Sequence, residues 1–164
     1  MTVFGGDIIY AADINNSVPR YVIKENNQSV TSSTTFVDDT ELVTPTLAVG
    51  KWDLELHLVV TSTVAIKCEW TNTGTMANNR RAWGPGSTET DAGDDSTARW
   101  GLHGFATDVI YGPRSGALQF HIEEYAIIDV SAEGAITFRF AQNVSNAAAT
   151  TVQANSYWKY KQVS

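Results

Sequence analysis

Between Gly50 and Val60 the chain reads GKWDLELHLVV: Trp52, Leu54, Leu56, Leu58 and Val60 alternate with Lys51, Asp53, Glu55 and His57. A repeat of two residues is that of a pleated strand, whose side chains leave alternately to opposite faces, so this segment is predicted to be a strand with one buried face. The next segment alternates in the same way, with Val64, Ile66, Cys68 and Trp70 against Ala65, Lys67 and Glu69. With Thr61 to Thr63 as the turn, the two are expected to form a hairpin over a common core. Further on, ALQFHIEEYAIIDV places Leu118, Phe120, Ile122, Ala126, Ile128 and Val130 on one face, with Glu124 the single exception. A bulge or break near Glu123 and Glu124 is expected to remove that conflict. Ile136, Phe138 and Phe140 define another strand, and Tyr157 to Gln162 a last one with Trp158 and Tyr160 on its aromatic side.

Weaker patterns lie between these. Tyr21 to Lys24 and the Thr-rich Ser29 to Phe36 are predicted as short strands, and Val37 to Val43 as extended chain turning at Asp38 and Asp39. From Asn72 to Gly104 the alternation disappears into a stretch rich in Gly, Asn, Thr and acids, which is predicted to be a long loop. Residues 1–19 read as an N-terminal arm, whose Ile8, Ile9 and Tyr10 need a surface to cover, and residues 20–164 as the domain proper. About eight strands separated by turn signals, with no helical repeat between them, predict an all-β fold. The expected form is an antiparallel β-sandwich, jelly-roll-like, with an extended N-terminal arm.

Composition narrows the function. The chain has 164 residues, 43% of them hydrophobic and only 18% charged, enough for one domain with a sizeable core. The formal net charge of -7, without a run of Lys or Arg, argues against nucleic acid as a partner. No apolar stretch approaches the length of a spanning helix, so no membrane insertion is expected, and the N-terminus lacks the pattern of a secretory signal. Cys68 is the single cysteine, expected as a small buried hydrophobe.

Candidate chemistry is sparse along the chain. His57, His103 and His121 share no metal-ligand spacing with one another or with Cys68, and the first and last fall on outward strand faces. Glu123 and Glu124 are adjacent on a strand and so point to opposite faces, and spacing does not select a carboxylate pair such as Glu55 with Glu123. No nucleophile triad or phosphate loop is present, so neither catalytic residues, cofactor nor metal are expected. Glu89, Asp91, Asp94 and Asp95 read as a solvated acidic loop that Arg80 and Arg81 neutralise. Trp83 and Trp100 imply that part of the 72–104 segment is packed. With Asp91, Asp94 and Asp95 they are its candidate ligand-binding residues.

Three segments resemble one family. SVTSSTTFVDDTELVTP from Ser29, followed by KWDLELHLVV, and ITFRFAQNVSNAAATTVQANSYWKYKQV near the end, are similar to β-sandwich modules of tailed-phage virions, which serve as head-decoration, minor tail or fibre proteins. FGGDIIYAADINN, Phe4 to Asn16, resembles the N-terminal arm of such proteins, with Ile14 where Leu is usual. The resemblance implies a virion structural protein without catalysis, synthesised in the host cytoplasm and self-associating, expected as a homotrimer. Its expected partners are major capsid or tail proteins, met through the arm (Ile8, Ile9, Tyr10) and through Trp158 and Tyr160. A receptor-binding or carbohydrate-binding module that meets a host surface glycan is the alternative.

Overall fold

A computed structural model of the chain describes residues 18–77, 79–91, 93, 97–115 and 118–163. The arm residues Ile8, Ile9 and Tyr10, and Asp94 and Asp95 of the acidic cluster, lie outside the described residues.

The described chain is all antiparallel β in two sheets. Its strands are β1 (Arg20–Ile23), β2 (Gln28–Val30), β3 (Val37–Val43), β4 (Gly50–Thr61), β5 (Ile66–Asn72), β6 (Thr75–Ala77), β7 (Asn79–Pro85), β8 (Ala98–Gly104), β9 (Val109–Tyr111), β10 (Gln119–Ala132), β11 (Ile136–Gln142), β12 (Thr150–Val152) and β13 (Tyr157–Gln162). The larger, nine-stranded sheet runs β1-β13-β4-β10-β7-β8, with β12, β2 and β6 attached off this path; the smaller runs β3-β11-β5-β9. No helix among the described residues is long and apolar enough to cross a membrane.

The core lies between the sheets, where the apolar faces of the long strands meet. Leu54, Leu56, Leu58 and Val60 of β4 and Phe120, Ile122, Ile128 and Val130 of β10 come from one side. Ile66, Cys68 and Trp70 of β5 and Ile136, Phe138 and Phe140 of β11 come from the other. The β4 and β5 segments thus share a core, as their alternation predicts. They are not a hairpin, however: Ser62 and the residues after it carry the chain from one sheet to the other, and β5 pairs with β11 and β9.

Other expectations are corrected. β3 continues through Asp38 and Asp39, because buried Asp39 takes the Lys24 ammonium at 2.9 Å and accepts the backbone N–H groups of Glu41 and Leu42. The expected Ser29 to Phe36 strand is confined to β2. The 72–104 segment is largely strand, β6, β7 and β8, and β7 and β8 form the edge hairpin of the larger sheet. Trp158 and Tyr160 are core residues rather than spare surface. They register with Leu56 and Leu54 on the inner side of β4, and Trp158 packs edge-on against Trp70 and donates its indole N–H to the Leu42 carbonyl at 2.9 Å.

β10 is unbroken, and Glu124 points inward without a bulge. Its carboxylate accepts from Arg80 at 2.6 Å and from the Tyr111 hydroxyl at 2.7 Å, all three side chains being buried. Arg80 also donates to the carbonyls of Cys68 and Thr107, so it serves the core and does not neutralise the acidic loop. Burial, with the Glu124 charge adding to it, pushes the Tyr111 hydroxyl and the Cys68 thiol well above their usual pKa.

Candidate functional site

The outer face of the larger sheet carries the polar half of each alternating strand, and strand register decides which of those residues meet. Ile23 lies opposite Tyr157, Tyr157 opposite His57, His57 opposite Glu123, Glu123 opposite Trp83 and Trp83 opposite Trp100. One row of side chains therefore crosses six strands drawn from all parts of the sequence. The adjacent row is Tyr21, Lys159, Glu55, Tyr125, Arg81 and Leu102.

Aromatic contacts form two groups along this row, one around His57 and one at the tryptophans. The Tyr157 and His57 rings stack at 4.5 Å, His57 and His121 at 5.7 Å, and Trp83 and Trp100 at 5.6 Å. The two tryptophans pack on each other and not into the domain: Trp83 is 48% and Trp100 77% exposed, which corrects the expectation that burial holds them. Both side chains thus belong to the exposed edge of the larger sheet and not to the core.

Beside the Trp pair the sheet opens into a cleft of about 480 Å³, lined by Trp83, Pro85, Thr97, Arg114, His121 and Glu123 among others. The cleft exists because the β7–β10 ladder stops at the Trp83–Glu123 pair. Pro85 has no amide hydrogen with which to continue it, and Gly84 before it has no side chain. A Cβ on Gly84 would come within 2.8 Å of the Tyr111 ring, so the close approach of β7 to the core requires glycine there. Arg114 donates to the Gln119 carbonyl at 2.9 Å, and its Nε has no partner among the described residues.

The electrostatics of the face centre on Glu55. Burial pushes its pKa up, but the Lys159 ammonium at 2.8 Å and His57 outweigh that and hold the carboxyl below its usual range; Lys159 is raised in return. His121 is lowered by partial burial and by His57, against the opposing pull of Glu123. Both imidazoles turn Nδ1 toward one oxygen of Glu123, His57 at 3.4 Å and His121 at 3.7 Å. Spacing along the chain conceals this cluster, which forms only through the β4–β10 register.

Of the acidic residues expected to bind a ligand, Asp91 is exposed and accepts the backbone N–H of Ser115; Glu89, the remaining described member of the acidic cluster, accepts that of Thr97. Both carboxylates brace the loop beyond the hairpin. The opposite outer face, on the smaller sheet, has a different character: Arg139 bridges Asp38 and Glu69, and Lys67 reaches Asp108.

Comparison with known proteins yields no relative: no family model, no curated protein and no solved structure matches the chain.

Proposed function

We propose that the protein is a non-enzymatic β-sandwich module of the jelly-roll type, a structural component of a tailed-phage virion, which binds a carbohydrate chain on the outer face of its larger sheet. The observation that carries the binding reading is the exposed Trp83–Trp100 pair beside a cleft that offers a guanidinium, an imidazole and a carboxylate. Indole faces cover the C–H faces of sugar rings, and fixed polar groups at the edge take the hydroxyls. Six strands at their usual spacing make the row from Ile23 to Trp100 about 24 Å long, enough for several sugar rings. The virion setting rests on the resemblance of residues 4–16, 29–45, 51–60 and 136–163 to phage modules. In that setting the ligand is a host surface glycan.

A printed array of bacterial surface polysaccharides tests the binding reading. Trp83→Ala and Trp100→Ala are each expected to weaken the captured glycan about tenfold, the worth of ~1.4 kcal/mol for one stacked aromatic. A silent array, or unchanged binding by both folded variants, overturns it.

A second reading is favoured by Tyr21, Ile23 and Leu102, exposed apolar residues elsewhere on the same face. Self-association, as in a capsid-decoration trimer, would cover them. Sedimentation equilibrium decides: a trimer that Ile23→Asp dissociates supports this reading, and a monomer at high concentration rejects it.

A further inference from the structure

We propose that His57, His121 and Glu123 form a binding site for a divalent transition-metal ion, of which zinc is the representative, on the open face of the larger sheet. Each side chain offers one ligand atom, and the three atoms lie within 4.8 Å of one another. Two imidazole nitrogens and one carboxylate oxygen are a ligand set that such ions favour, and three protein ligands leave a further position open.

The distances suit a shared ion. Nδ1 of His57 and Nδ1 of His121 stand 3.4 and 3.7 Å from the same Glu123 oxygen. Both lie beyond the usual 2.7–3.2 Å of an N–H···O bond. Two donors each about 2.0–2.1 Å from a tetrahedral ion are separated by roughly 3.4 Å, close to both values. His57 and Glu123 are cross-strand partners held by the β4–β10 ladder, while His121, two residues along β10, is half exposed.

The surroundings are those of a held ligand. Nε2 of His57 faces a Glu55 oxygen at 3.3 Å, and Glu55 is itself fixed by Lys159 at 2.8 Å. A metal-bound imidazole commonly donates its remote N–H to a carboxylate in this way, which sets its tautomer and ring orientation. Tyr157 stacks on the His57 ring at 4.5 Å and restricts its rotation. His121 and Glu123 also line the cleft beside Trp83, so the open coordination position lies at the mouth of that cleft, where a ligand oxygen can complete it. The site requires no glycan, and it stands or falls independently of the carbohydrate reading.

Titration of the tag-free full chain with cobalt(II), followed by visible absorption, and with zinc, followed by calorimetry, tests the proposal. One equivalent per chain is expected, with intense cobalt bands of a low-coordinate site. His121→Ala and Glu123→Gln are each expected to weaken binding by at least about 100-fold, and Glu55→Gln, which only orients His57, by about 10–100-fold. His121 and Glu123 lie on the outer face, so these variants are expected to keep the wild-type circular dichroism; should one of them not fold, the other gives the same reading. No binding at millimolar metal, or binding that neither His121→Ala nor Glu123→Gln changes, overturns the site.

Discussion

Glu124 occupies a position where the alternation of β10 calls for an apolar side chain, and the core accepts it only because Arg80 and Tyr111 supply partners there. A buried ion pair adds little net stability over an apolar filling, yet removing one member strands the other in a medium that cannot solvate it. Glu124→Leu is therefore expected to cost about 3–5 kcal/mol in urea unfolding, and Arg80→Met in the same chain to recover much of it. Equal stability of the single variant and the wild type would contradict the pairing. The alternation exposed Glu124 as an anomaly but could not supply the cause, since Arg80 lies in a segment that does not read as strand. The same limit governs His57, His121 and Glu123: outward orientation was legible from a repeat of two, whereas proximity depends on register. Trp158 and Tyr160 show the converse, because β13 has an aromatic residue on each face and its inner side is fixed only by pairing with β4.

At the scale of elements, β4 and β10 were plain in the sequence because each has one apolar and one polar face, whereas β7 and β8 were hidden because their polarity is inverted. β7 turns Arg80, Ala82 and Gly84 inward and Trp83 outward, and β8 exposes Trp100 and Leu102. Such strands look like loop to any reading that seeks an apolar inner face, and the inversion leaves Trp83, Trp100 and Leu102 on the surface to which the proposed binding is assigned. Gly84→Ala probes how this hairpin seats. Its new Cβ would press on the Tyr111 ring, whose hydroxyl is tied to Glu124, so a loss of about 1–3 kcal/mol is expected by urea denaturation. An unchanged midpoint would mean that β7 is free to lift. The other end of the face depends on the turn after β1, where the Glu41 carboxylate accepts the side-chain amide of Asn26 and the backbone N–H groups of Glu25 and Asn26. These bonds, that of the Asn26 side chain foremost, lower the Glu41 pKa. Its contribution is then complete above the usual carboxylate range and is lost as pH falls through the lowered value. Glu41→Gln is expected to flatten that part of the acid dependence of the melting temperature; an identical pH profile would show that the turn does not depend on the charge.

For the whole molecule, the two outer faces differ in character, and the proposed function assigns binding to one of them. The smaller sheet shows water a lattice of ion pairs around Arg139, as an ordinary solvated surface does. The larger sheet aligns Ile23, Tyr157, His57, Glu123, Trp83 and Trp100 in one row that ends at a cleft. Two-layer β architecture was legible from the spacing of apolar residues and turns. Which strands neighbour which was not, because pairing β13 with β4 and β10 with β7 joins segments far apart in the chain. The most direct test of this division is to measure, on the same polysaccharide array, the affinities of Trp100→Ala and of Arg139→Ala, one on each outer face. The expected result is about tenfold weaker binding for Trp100→Ala with wild-type affinity for Arg139→Ala; binding that is unchanged in the first and fails with the second would place recognition on the other sheet and contradict the account.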